Sequence, residues 1–233
     1  MAKALFVTGT GTDVGKTYVT ALMVKKLAES GENAAYYKAA MSGNRRRSDG
    51  SLIPGDAMFV QQTAGLSQPL GEMCPYVYEH AWSRHLAARY EGNPPELPGI
   101  RQGFEAVCSR NDYVTVEGSG GILCPLRAEN GKTLWLEDVI RALQLPSVII
   151  ADAGLGTINS VVLTAKYMQG KKLPVKGILF NHFHRGDTME EDNIAMCRQH
   201  TGLPVLACIP DGAQELPMEP NDLAALYEEV SLT

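Results

Sequence analysis

The chain has 233 residues, of which 45% are apolar and 20% charged, and a formal net charge of −5. Such a composition belongs to a folded domain and not to a disordered segment, and its acidity argues against a broadly basic nucleic-acid-binding surface. No apolar run approaches the roughly 18 residues of a membrane-spanning helix.

In chain order, the first apolar run is 4–7, followed by a helical pattern over 15–30, a second run at 34–37 and a helix over 56–64. A helix over 98–109 precedes the run 113–116, and a helix over 134–143 precedes the run 147–151. Helix 157–169, run 175–180, helix 189–200, run 205–209 and helix 221–230 complete the alternation. Most runs are continuously apolar, as strands covered on both faces are. The expected fold is α/β, a mostly parallel sheet with helices on both sides, in one domain over 1–233. Two polar stretches, 42–55 with three consecutive arginines and 91–99 with three prolines, read as surface loops. The opening MAKALFVTGTGTDVGKT turns polar too early for a signal peptide. Five cysteines without C-x-x-C spacing suggest free thiols in a reduced, cytoplasmic setting.

Residues 5–17, LFVTGTGTDVGKT, carry the strongest signal. An apolar strand ends at Gly9, a loop of small residues follows, and Gly15, Lys16 and Thr17 open a helix. Glycines let backbone N–H groups curl around phosphate oxygens, and the helix start adds partial positive charge. Lys16 suits the β- and γ-phosphates of a nucleotide and the Thr17 hydroxyl suits magnesium. The usual G-x-x-x-x-G-K-[ST] spacing asks for Gly at position 10, where Thr10 stands; the first glycine is Gly9. A dinucleotide fingerprint fails, because Gly9 and Gly11 are followed by Val14 where a third glycine is required.

Three further charged residues stand near strand ends. Glu117 closes the run 113–116 and leads into Gly118, Ser119 and Gly120, which puts it on the same sheet edge as the phosphate loop. Asp56 is either a magnesium ligand or the N-cap of the next helix. Lys38 ends the second strand and either stabilises charge beyond the γ-phosphate or snorkels at the surface.

Taken together, VTGTGTDVGKT, KAAMSG, Asp56, VEGSGGILCPL, GLGTIN and FNHF resemble the dethiobiotin synthetases, over most of the chain. The resemblance implies a three-layer P-loop NTPase fold and the ATP- and magnesium-dependent carboxylation and ring closure of 7,8-diaminopelargonate with carbon dioxide. The products are dethiobiotin, ADP and phosphate. It further implies that Gly9, Thr10, Gly11, Thr12, Asp13, Val14, Gly15, Lys16 and Thr17 cradle the nucleotide phosphates, with Thr12 and Lys16 at the reaction centre. Lys38 and Ser42 would hold the carbamate, and Thr17, Asp56 and Glu117 the metal, beside Gly118 and Gly120. Asn181 would read adenine, or serve merely as a strand-end turn residue, with Pro210, Asp211 and Gly212 lining the base pocket. Gly156, Thr157, Ile158 and Asn159 would cradle the substrate carboxylate across a homodimer interface, with no nucleic acid or membrane partner.

The chain departs from the family pattern at Ala39, where Pro is common, at Asp13, where Glu is frequent, and at Arg84 within an otherwise usual Ser-Pro-His. Ala39 and Arg84 are expected to alter loop stiffness and not the charge of the reaction centre. Arg45, Arg46 and Arg47 have no family role and read as a solvated loop. A partitioning-type ATPase is the rival reading; it calls for a lysine early in the phosphate loop, where Thr10 stands. A related amidotransferase-type ligase would need a glutaminase domain for which 233 residues leave no room. A nucleotide-binding regulatory domain without catalysis is disfavoured by Lys16, Lys38, Asp56 and Glu117.

Overall fold

The computed structural model describes residues 1–129 and 131–231. Strand β1 (Lys3–Gly9) runs through the phosphate loop into helix α1 (Lys16–Glu29) and strand β2 (Ala34–Lys38). Short pieces follow: β3 (Ala40–Met41), β4 (Arg45–Arg46), β5 (Leu52–Ile53), α2 (Gly55–Ala64), α3 (Leu70–Met73), β6 (Tyr76–Val77) and α4 (Arg84–Glu91). The regular alternation resumes with α5 (Leu97–Cys108), β7 (Tyr113–Glu117), the hairpin β8 (Pro125–Glu129) and β9 (Lys132–Trp135), α6 (Leu136–Leu143) and β10 (Ser147–Asp152). The chain then forms α7 (Thr157–Gly170), β11 (Val175–Asn181), α8 (Thr188–Thr201), β12 (Val205–Cys208), α9 (Pro220–Ala224) and β13 (Glu228–Glu229).

The main sheet has the order β12-β11-β10-β1-β7-β2, parallel throughout, with β13 antiparallel to the start of β1. The apolar runs are continuous because both faces are covered. Along β1, Leu5 and Val7 pack with Val19, Leu22 and Met23 of α1, while Phe6 packs with Ile100 and Phe104 of α5 and Val139 of α6. On the helices the buried positions repeat at three- and four-residue spacing, as Ile100, Phe104, Val107 and Val161, Ala165, Met168. Apart from the smaller Ala165, each of these side chains contributes roughly 1.5–3 kcal/mol by leaving water. Parallel pairing places the C-terminal ends of β1, β2, β7, β10 and β11 along one edge, where open α/β sheets bind ligands.

Several expectations require correction. The helix over 221–230 exists only as α9; Pro220 sits in its first turn, and beyond it the chain extends so that Glu228 and Glu229 pair with β1. There the Tyr227 hydroxyl meets Thr115 Oγ1 at 2.7 Å, a buried contact that a continued helix would forgo. The helix at 134–143 begins at Leu136, because Leu134 and Trp135 belong to the β8–β9 hairpin. The loop 42–55 folds back as the antiparallel pair β4–β5. The loop at 91–99 is confined to 92–96 between α4 and α5. Helices α3 and α4 and the pair β3–β6 lacked a clear sequence signal, being two to eight residues long. The five cysteines are free thiols, three of them buried.

Candidate active site

The phosphate loop leaves β1 at Gly9 and returns as α1. The Thr10 N–H donates to the Ile150 carbonyl at 3.0 Å, which ties the loop to the neighbouring strand. Asp13 and Gly15 both adopt left-handed φ, 61° and 84°. Gly15 has no tolerable substitute: a Cβ there would stand 2.1 Å from Asn181 Nδ2, quite apart from the backbone strain. Helix α1 opens with no side-chain cap and no acid in its first turn, so its free N–H groups favour an anion. Lys16 Nζ donates to the Gly11 carbonyl at 2.6 Å, which folds its side chain back over the loop. Burial lowers its pKa to about 8, more than the attraction of Glu117 can restore, with Lys38 and Arg84 adding repulsion.

The second half of the site comes from β2 and β7. Lys38 and Glu117 are directly paired in the parallel ladder. Lys38, only 2% exposed, donates to Glu117 Oε1 at 2.5 Å and to Asp56 Oδ2 at 2.6 Å. The snorkelling alternative for Lys38 is thereby excluded. Burial alone would lower the Lys38 pKa, but the two carboxylates outweigh it and hold it above the usual lysine range. Asp56, conversely, is lowered: burial would raise it, and the Lys38 ammonium prevails. Nor is Asp56 an N-cap, since Pro54 holds that position and the carboxylate turns to Lys38. Glu117 also accepts from Thr17 Oγ1 at 2.8 Å through Oε1 and from the Tyr36 hydroxyl at 2.8 Å through Oε2.

These groups face a cavity of about 240 Å³ lined by Thr12, Asp13, Gly15, Lys16, Thr17, Lys38, Ser42, Asp56, Glu117 and Gly120, with Tyr18 and Arg84. A larger hollow of about 600 Å³ lies beside Arg89 and Lys132, without a phosphate loop or a buried ion pair in its lining. Ser42, in the cavity lining, donates through Oγ to the Trp82 carbonyl at 2.8 Å. Gly118 packs inward, where a Cβ would meet Phe6 and Leu136 at 2.9 Å, so its place follows from core packing.

Asn181 ends β11 beneath the phosphate loop. Its Nδ2 lies 3.3 Å from the Val14 carbonyl, while Oδ1 is buried with no partner, an acceptor awaiting a donor. Next to it His182, at φ 55°, contacts Asn181 Nδ2 through Nε2 at 3.1 Å and Asp152 Oδ2 through Nδ1 at 2.7 Å. Pro210, Asp211 and Gly212 follow β12 on the same edge, where the Tyr18 hydroxyl bonds to the Ala213 carbonyl. Gly156 is the N-cap of α7 at φ 91°, with Thr157, Ile158 and Asn159 in its first turn. None of these four lines the cavity.

Tyr36, His182 and Arg84 contribute to the site beyond the residues expected there. Tyr36 was detectable, since strand alternation puts it on the face of Lys38 two residues on. His182 carried only its adjacency to Asn181. Arg84 corrects an expectation: it does bring charge to the reaction centre, because α4 begins there and aims the side chain into the cavity.

A central parallel sheet whose first strand runs through a glycine-rich loop into a helix with Lys-Thr at its start defines a P-loop nucleotide-binding protein. Solved structures agree on the fold: the MinC:MinD cell division protein complex of Aquifex aeolicus (TM-score 0.57, 13% identity, 91% of this chain and 83% of that one) and a ParA family ATPase of Chlorobium tepidum TLS (TM-score 0.52, 14% identity, 90% and 84%). A family model described as an AAA domain matches residues 3–215. Sequence relatives are more specific. The ATP-dependent dethiobiotin synthetase BioD of Brachyspira hyodysenteriae is 46% identical over 228 residues, covering 98% of this chain and all of that one. Its counterpart in Clostridium botulinum strain Okra is 42% identical over 231 residues, 99% and 100% of the two chains. The chain belongs to the ATP-dependent dethiobiotin synthetase family.

Proposed function

We propose that the cavity between α1, β2 and β7 carries out the family reaction, the ATP-dependent carboxylation and ring closure of 7,8-diaminopelargonate to dethiobiotin. The observation that carries this assignment is the Lys38 ammonium held between Asp56 and Glu117, one strand from a phosphate loop whose Thr17 bonds the same Glu117. A binder of nucleotide alone has no use for a second buried lysine there. The rival reading as a partitioning ATPase rests on likeness of fold at 13–14% identity, whereas the synthetases match over the full chain at more than 40%.

In this reading one amine of the diamine attacks carbon dioxide and loses a proton, giving a carbamate. A carbamate oxygen attacks the γ-phosphorus and ADP leaves. The neighbouring amine then attacks the carbamoyl carbon, closes the cyclic urea and expels phosphate. Lys16 and the loop amides hold the nucleotide phosphates, and Thr12 stands beside the transferred group. Lys38 and Ser42 hold the carbamate, so that two anions meet among fixed donors. The unpartnered Asn181 Oδ1 accepts from the adenine amino group, with residues 210–212 forming the base pocket.

The donor set fits magnesium. Two carboxylates already flank a positive charge and the Thr17 hydroxyl bonds one of them, all hard oxygens, and magnesium takes few protein ligands beside phosphate oxygens. Thr17, Asp56 and Glu117 would hold it, and when bound it neutralises charge on the phosphate oxygens.

The start of α7 completes the site of a second copy. Leu155, 91% exposed, stands just before the helix, and Leu163, 62% exposed, lies one turn beyond the exposed Asn159. An apolar stripe beside a free helix start suits a homodimer in which residues 156–159 bind the partner's substrate carboxylate. The chain functions as one domain over 1–233, in the cytoplasm, where its unpaired thiols stay reduced. The test is product analysis. Enzyme with the diamine, ATP and ¹³C-bicarbonate should yield dethiobiotin labelled at the ureido carbon; its absence refutes the reading.

A further inference from the structure

We propose that Arg84 is a further catalytic residue of this cavity, its guanidinium holding the carbamate formed on the substrate amine; the proposal rests on the dethiobiotin synthetase reading. Arg84 opens α4 and lines the cavity with Lys16, Lys38, Ser42 and Asp56. Its Nε is fully enclosed and has no hydrogen-bond partner, and among the described residues Arg84 forms no ion pair. The neighbouring cations already have partners, Lys38 two carboxylates and Lys16 the Gly11 carbonyl, so Arg84 would join Lys38 and Ser42 around the carbamate as the cation without one. Elsewhere Arg46, Arg110 and Arg127 each reach a glutamate. Buried donors are met in nearly all folded proteins, so an enclosed guanidinium Nε left unmet at the cavity wall calls for an anionic ligand. Its charge bears on Lys16, Asp56 and Cys124, in keeping with its place in the cavity lining.

Two anions compete for it. The nucleotide phosphates already have Lys16, the loop amides and the start of α1. Arg84 instead comes from the Ser42 side, since Ser42 Oγ is bonded to the carbonyl of Trp82, two residues before it. A carbamate presents two oxygens in a plane with the geometry of a carboxylate, which a guanidinium matches as a two-pronged donor. The amine proton is lost when the C–N bond forms, one carbamate oxygen goes on to attack phosphorus, and Arg84 stays protonated throughout. Its task is to neutralise the carbamate and aim it.

The test compares the wild type with Arg84→Met and Arg84→Lys. Measured are diamine- and bicarbonate-dependent turnover, the KM values for bicarbonate and ATP, calorimetric affinity for a non-hydrolysable ATP analogue, and the ¹³C resonance of the bound carbamate without nucleotide. Arg84→Met should lose about 10²–10³ in turnover, the cost of one charge-stabilising donor. It should also raise the bicarbonate KM and lose the carbamate resonance, while analogue affinity and melting temperature stay near wild type. Arg84→Lys should recover part of the rate. If Arg84→Met keeps wild-type turnover and carbamate signal, the proposal fails and the synthetase reading stands. If analogue affinity falls in parallel with turnover, Arg84 serves the phosphates and the carbamate assignment fails. A wild type with no diamine-dependent turnover overturns the reading, and the proposal with it.

Discussion

Lys16 offers a prediction with a defined sign. Its pKa is lowered to about 8 because burial strips water from the ammonium, and Glu117 only partly compensates. The phosphates of ATP bind the charged form, so binding raises the pKa. Nucleotide affinity is then constant well below pH 8 and falls above it, as free enzyme loses the proton that the complex keeps. The factor is about 2 at pH 8 and about 11 at pH 9, close to the 1.4 kcal/mol that one pH unit represents. At pH 8 each binding event takes up about half a proton at this site. Calorimetry with a non-hydrolysable analogue, from pH 7 to pH 9.5 in buffers of different ionisation enthalpy, reads both quantities. Lys16→Arg keeps its charge over this range and should show a flat profile, whatever its absolute affinity. A wild-type affinity constant within twofold to pH 9.5, or the same slope in Lys16→Arg, refutes the assignment of the titrating group.

Glu117→Gln keeps size and removes charge, so the magnesium concentration for half-maximal turnover should rise and the rate fall together; unchanged metal dependence would make Glu117 structural. Lys38→Met should leave analogue affinity near wild type and lower turnover about 10²–10³-fold. It should also lower stability by about 3 kcal/mol in denaturant titration, because it leaves the buried Glu117 without its countercharge. Full turnover in that variant removes Lys38 from the mechanism. Mixed dimers of Lys16→Ala and Asn159→Ala chains should regain activity, since both lesions fall in one of the two shared sites; inactive mixed dimers of separately inactive chains contradict the shared site.

The sheet and its helices were legible because their signal is local and repeated. Strands such as Ser147–Asp152 are apolar on both faces, and α5 and α7 carry helical spacing over three turns or more. The phosphate loop was legible because glycine and lysine at fixed offsets have few other uses. By contrast, α4 is short and its Ala87 and Ala88 are buried in a small cluster with Tyr78, a contact with no sequence period, so nothing in the sequence brings Arg84 to the cavity. The C-terminal segment differs for a related reason: residues 221–230 suit a helix, but the start of β1, where β10 does not yet pair with it, captures Glu228 and Glu229. Asp56 had two readings of comparable merit, and only the fold brings it to Lys38 across 18 residues of chain.

The central claim is that one cavity couples ATP to carbamate formation and ring closure. ADP release measured with ATP and magnesium, adding diamine and bicarbonate separately and then together, tests it most directly. The account predicts negligible release with either alone and steady release with both, one ADP for each dethiobiotin formed. Release that ignores the diamine, or that proceeds equally in carbon dioxide-free buffer, would contradict it.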